Sequence, residues 1–227
     1  MTNQTTLIVG VGSGLSASLA RRAAGRGMDV HLAARNTDKL AGLATETGAT
    51  LHACDASDPA QVAALFEALD AGPGAPGLVI YNASYRTRGP FQDLDAEEVR
   101  KTLMVACYGG FLVGQEAAKR MIPAGEGTIL FTGASASVKG YKQSAPFAMG
   151  KFGLRGLAQS MARELHPKNV HIGHFVIDGG IAPSGQSGDN DNRLNPEAIA
   201  ETYLQFHRQH RSAWAWEIEL RPWVETF

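Results

Sequence analysis

The stretch SAPFAMGKFGL, Ser144 to Leu154, sets an aromatic ring and a lysine four residues apart. As the opening of an amphipathic helix, it places Phe147 and Lys151 on one face, a single turn from each other. An ammonium in that position lowers the pKa of a neighbouring acid. Phe147 has no hydroxyl to be acidified.

A second group of residues lies near the N-terminus. LIVGVGSGL puts Gly10, Gly12 and Gly14 between a β-branched run and a helical pattern. Glycines in such a turn let backbone approach a pyrophosphate, and the helix N-terminus that follows attracts its charge. The alternative is a turn that needs glycine for its own geometry. Arg35 ends the next apolar run, where an acid would bind a ribose 2′-hydroxyl and an arginine can pair with a 2′-phosphate. That reading favours NADP(H) over NAD(H), with Ser13 and Asn36 as further 2′-phosphate contacts. A solvated surface arginine is the alternative. Asp55 closes HACD, followed by Ala56, where a carboxylate can accept from an adenine amino group. Asn82 and Ala83 close VIYNAS at a strand's carboxyl end. Either polar residue can instead be a cap or turn former.

These residues need a scaffold of alternating strands and helices. TLIVG, DVHLAAR, ATLHACD, GLVIYNAS, GTILFTG and VHIGHFVID read as strands, and AWEIEL as a last short one. Between them run helical patterns. The first carries Leu15, Leu19 and Ala23 on one face, and another is capped by Asp58 with Pro59 in its first turn. A long helix is expected from about Ala96 to Met121, another from Ser144 to Leu165, and a late one in NPEAIAETYLQFHRQH. Strands separated by helices predict a doubly wound α/β fold, a parallel Rossmann-type sheet with helices on both faces. No repeat or linker interrupts residues 1–227, so a single domain is expected. PSGQSGDNDNRLNP, polar and rich in glycine, should be the least ordered stretch.

Charge and composition exclude several functions. A net charge of −1 with no basic run gives no field for nucleic acid or an anionic membrane. Cys54 and Cys107 form no C-x-x-C and read as reduced thiols. The N-terminus reads as no signal peptide, and no apolar run approaches membrane length, so a cytoplasmic protein is expected. His171 and His174 fall on opposite strand faces, and DNDN at Asp189 to Asn192 lacks the glycine and distal glutamate of a calcium loop. No metal is expected, and no G-x-S-x-G suggests nucleophilic hydrolysis.

Taken together, the glycine turn, CDAS, YNAS, GTILFTGAS and FAMGKFGLRGLAQSMARELHPKNVHI resemble the short-chain dehydrogenase/reductase family over nearly the whole chain. The resemblance implies a seven-stranded Rossmann sheet, NAD(P)H binding, a small-molecule substrate, and a homodimer or homotetramer built on two long helices. It implies that Gly10 and Gly14, with Leu15, flank the pyrophosphate, and that Asp55 lies in the adenine pocket. Asn82 and Ala83 match the family's N-A-G. Lys151 matches the lysine that holds the nicotinamide ribose, and Ile181 should offer backbone groups to the carboxamide. Val99, Leu103 and Val105 on one helix and Phe152, Leu154 and Leu157 on the other supply the apolar excess for an interface.

At the family's other catalytic positions the side chains differ. Its tyrosine is Phe147, its serine falls on Ala134, and the asparagine of its long helix falls on Ala106. The candidates for a substitute acid are Ser135, Tyr141, Tyr85 and Asp178. Each has an ordinary alternative as a turn, packing or cap residue. Arg86 and Arg88 can contact an anionic substrate or simply be solvated. The expected activity is NADP(H)-dependent oxidoreduction with atypical catalytic residues. The alternatives are a catalytically weak NADP(H)-binding regulator and a non-redox enzyme on the same scaffold.

Overall fold

A computed structural model describes residues 5–183 and 192–224. Seven strands form one parallel sheet: β1 (Thr5–Val9), β2 (Asp29–Ala34), β3 (Thr50–Ala53), β4 (Leu78–Tyr81), β5 (Gly127–Thr132), β6 (Val170–Ile177) and, last in the chain, β9 (Glu217–Leu220). Their order is β3-β2-β1-β4-β5-β6-β9. β1, β4 and β6 are buried at every residue, as strands covered on both faces must be. Side chains alternate between two cores. Leu7, Val9, Val79, Tyr81, Ile129 and Phe131 enter one, and Ile8, Leu78, Ile80 and Leu130 enter the other.

Helices α3 (Pro59–Ala71), α5 (Gly109–Ala124) and α6 (Ala145–Leu165) cover the first face. α1 (Leu15–Ala24) and α7 (Pro196–His207) pack together over the second. Helix α2 (Ala41–Thr47) ends at Gly48 in the left-handed region, and α3 starts where Asp58 accepts from the Ala60 and Gln61 N–H groups ahead of Pro59. The strand order reverses direction at β1, whose neighbours are β2 and β4. The crevice at that switch point, beyond the strands' carboxyl ends, is where open α/β sheets hold ligands.

The long helix differs from its expected form. It comprises α4 (Ala96–Leu103), a π-helical turn at Met104–Tyr108, and α5. Tyr81 explains part of this, because its hydroxyl donates 2.6 Å to the Val105 carbonyl at the turn. Gly109 and Gly110 let that segment close on Tyr81, since a Cβ at either would meet Tyr81 or Leu154. The polar stretch from Pro183 to Pro196 includes one short strand. β7 (Gly180–Ile181) pairs in parallel with β8 (Arg193–Leu194). Residues 184–191 of that stretch lie outside the described residues. No helix among the described residues is long and apolar enough to cross a membrane.

Candidate active site

Two adjoining chambers open at the switch point. The larger, about 800 Å³, is lined by Gly10, Gly12, Gly14, Leu15, Asn82, Phe147, Lys151 and Ile181 among others. The smaller, about 190 Å³, is lined by Gly10, Arg35, Asp55, Ala56 and Ala83 among others. Gly10 and Ser84 border both. The expected cofactor residues therefore come together, with two exceptions: Ser13 and Asn36 line neither chamber. Asn36 forms a local turn, its Oδ1 accepting from the Asp38 N–H at 3.0 Å.

The three glycines have different physical roles. Gly10 has φ +84°, and a Cβ there would lie 2.3 Å from the Ala83 backbone, so this glycine serves the fold. At Gly12 and Gly14 a Cβ would meet nothing within 4 Å, so those two leave an open cradle in the chamber wall. Gly14 starts α1 without a side-chain cap, which leaves the leading N–H groups with no side-chain acceptor. A cradle, an uncapped helix start and an exposed Arg35 beside the smaller chamber suit a dinucleotide. Asn82 is fixed by Ser16, in the first turn of α1. Its Nδ2 donates 2.6 Å to Ser16 Oγ, which donates to the Gly10 carbonyl at 3.3 Å. Asp55 Oδ1 accepts from the Ser57 N–H and hydroxyl at 2.9 and 2.6 Å.

At the other end lies Lys151, 3% exposed, its Nζ donating 2.7 Å to the Thr132 carbonyl. Desolvation pushes its pKa down to about 8. Two cations lie over the Phe147 ring. Lys151 Nζ is 5.8 Å and the Arg86 guanidinium 4.6 Å from the ring centroid. Ala134 lines the chamber at the serine position, and Ala106 is fully buried in the π turn. Neither can donate a proton.

Burial of the Lys151 ammonium makes the stability of the fold depend on pH. A lysine whose folded pKa lies below its unfolded value of about 10.4 binds fewer protons when folded, so stability rises as pH climbs from about 8 toward 10.4. Denaturant midpoints of the apoprotein should show wild type gaining about 2 kcal/mol relative to Lys151→Met between pH 7.5 and 9.5. Parallel pH profiles would contradict a desolvated ammonium.

The candidate acids separate. Tyr141, 46% exposed, lines the larger chamber, and no described residue hydrogen-bonds its hydroxyl. Ser135 also lines the chamber, beside Asp178. Asp178 is an ion-paired carboxylate, which disfavours it as a proton donor. It is 5% exposed and ion-paired to Lys139 at 3.1 Å and Arg221 at 3.4 Å. Burial pushes its carboxyl up, but the Ser135 and Lys139 hydrogen bonds and both cations outweigh this and hold it below the ordinary range. An anion so held has no proton to give. Tyr85 donates its hydroxyl to Glu98 and does not line the chamber.

A doubly wound sheet with a glycine cradle and a buried lysine at its switch point defines a nucleotide-binding α/β oxidoreductase scaffold. The family model for short chain dehydrogenase matches residues 4–191, and the chain belongs to that family. A short-chain dehydrogenase from Rhodopseudomonas palustris is 37% identical, with TM-score 0.84 over 97% of this chain and 99% of that one. A metagenomic short-chain oxidoreductase solved in complex with NADP is 25% identical, with TM-score 0.87 over 99% of each chain. Trans-4-hydroxycyclohexanecarboxylate dehydrogenase of Sinomonas cyclohexanicum is 30% identical over 180 residues, 74% of this chain and 69% of that protein. Family membership makes the protein an oxidoreductase by class, in a family that binds nicotinamide cofactors.

Proposed function

We propose that the protein is an NADP(H)-dependent oxidoreductase acting on a small carbonyl or alcohol substrate, without the family's tyrosine. The observation that carries this reading is the paired chamber, with Arg35 beside Asp55 at one end and buried Lys151 at the other. A nicotinamide, when bound, would supply hydride to a carbonyl carbon. Lys151 would hold the nicotinamide ribose, the Gly12–Gly14 cradle and the start of α1 would hold the pyrophosphate, and Ile181 would offer backbone groups to the carboxamide. The substrate oxygen then needs a proton. Tyr141 gives it, being the one phenol among the described residues that line the chamber, and Ser135, beside Asp178, is second in line.

Arg35 sets the cofactor preference. Calorimetry should show NADPH binding at least tenfold tighter than NADH, and Arg35→Ala should remove the difference while sparing NADH. Equal wild-type affinities would remove the assignment. A second reading, an NADP(H)-binding protein with little turnover, is favoured by Phe147, Ala134 and Ala106 together.

The proposal extends to a homodimer or homotetramer. The apolar excess lies on Tyr108 and Phe111, 37% and 40% exposed, and on Met149 and Phe152, 52% and 46% exposed. Leu154, expected in that interface, is instead wholly inside the core, and Val105 and Leu157 pack against it.

A further inference from the structure

The loop after β4 runs extended, and its residues alternate in what they do. Tyr85 donates to Glu98 at 2.5 Å, Thr87 meets Thr102 at 3.0 Å, and the Gly89 N–H donates to the Gln143 carbonyl at 3.2 Å. These three ties fasten the loop to α4 and to the turn before α6. The residues between them, Arg86 and Arg88, line the larger chamber. Arg86 is further positioned by its seat on the Phe147 ring.

The charge of this half of the chamber is one-sided. Its described lining includes Arg86, Arg88, Lys142 and Lys151 and no aspartate or glutamate. Seven arginines elsewhere, Arg21, Arg22, Arg26, Arg100, Arg120, Arg155 and Arg221, each hold a carboxylate. No described carboxylate pairs with Arg86 or Arg88. Desolvation and the Arg88 charge lower the Arg86 pKa, as expected for cations held together without a counter-charge. On the proposed reading of the cleft, the dinucleotide's own phosphates take the Gly12–Gly14 cradle and Arg35.

We infer that the substrate half of the chamber recognises a carbonyl compound that carries an oxyanion, gripped by Arg86 and Arg88. A guanidinium matches a carboxylate or phosphate through two parallel N–H bonds, and the Phe147 face holds the Arg86 fork in place. The inference rests on the proposed reading of the cleft as an NADP(H) oxidoreductase site. It also gives Phe147 a use of its own, as the platform for a substrate-binding cation.

The test compares matched pairs of ligands by calorimetry on the NADP⁺ complex, in which a ketone cannot be reduced. The pairs are phenylglyoxylate with its methyl ester, and dihydroxyacetone phosphate with dihydroxyacetone. The anionic member of at least one pair should bind tenfold or more tighter than its neutral counterpart. Arg86→Gln and Arg88→Gln should each weaken that anion at least fivefold, leaving NADP⁺ and the neutral ligand within twofold. Preference in the first pair assigns a carboxylate, and in the second a phosphate ester. If NADP⁺ binds but neither anion is preferred, the inference falls and the functional reading stands. If the variants weaken NADP⁺ as much as the anion, the arginines belong to the cofactor and the inference also falls. Absence of NADP⁺ binding overturns the functional reading and this inference with it.

Discussion

Phe147→Tyr should raise NADPH-dependent reduction of activated ketones at least tenfold. The ring already lines the chamber, with Lys151 Nζ 5.8 Å and the Arg86 guanidinium 4.6 Å from its centroid. A phenol there gains two cationic neighbours, both of which lower its pKa and ready its proton for transfer. A positioned acid is typically worth about 10²–10⁴ in rate, roughly 3–5 kcal/mol. The gain should fall short of the upper figure, because Ala134 supplies no oxyanion donor, a term of about 3 kcal/mol. Stopped-flow NADPH oxidation measures it. In the wild type, Tyr141→Phe should abolish most of the existing turnover, whereas Asp178→Asn should act mainly through the Lys139 and Arg221 ion pairs. If Phe147→Tyr lowers turnover, the added hydroxyl obstructs a site that takes its proton from elsewhere. If no variant changes turnover, the weakly catalytic binding reading gains.

How much of this was legible beforehand depends on the range of the interactions involved. Strand and helix order follows from local periodicity, and the Asp58-Pro59 cap needs only neighbours in sequence. The glycine cradle and the absent tyrosine, serine and asparagine are likewise local patterns or fixed spacings. What could not be read depends on contacts between distant segments. Tyr81 meets the Val105 carbonyl across 24 residues, and nothing in MVACY alone marks a π turn. Asp178 looks like a free strand-end carboxylate until Lys139, 39 residues away, is placed beside it. Leu154 carries the same apolar signal as exposed Phe152, but the helix's rotation sends it into the core. For Arg86 the sequence leaves an anion contact and a solvated loop charge both open, because what positions it is a ring 61 positions further along the chain.

Gly12→Ala should cost at least thirtyfold in NADPH affinity while leaving the melting temperature unchanged, and Gly10→Ala should do the reverse of that separation. At position 12 a methyl group meets no protein atom within 4 Å, and the backbone is not in the left-handed region, so the fold has no reason to object. The methyl instead occupies the cradle where a pyrophosphate must approach the main chain. At position 10 the methyl lies 2.3 Å from Ala83 N and Cα, on a backbone with φ +84°. Overpacking at about 1–3 kcal/mol and left-handed strain of similar size combine there. In a chain of this length each kcal/mol lowers the midpoint by about 2–4 °C, so a loss of about 5–15 °C is expected. Cofactor binding then suffers in Gly10→Ala only as far as the fold does. Thermal melts and NADPH titrations on both variants separate the effects. Unchanged NADPH affinity in Gly12→Ala would mean that the cradle holds no pyrophosphate, and a comparable melting loss in both variants would mean that the turn is structural throughout.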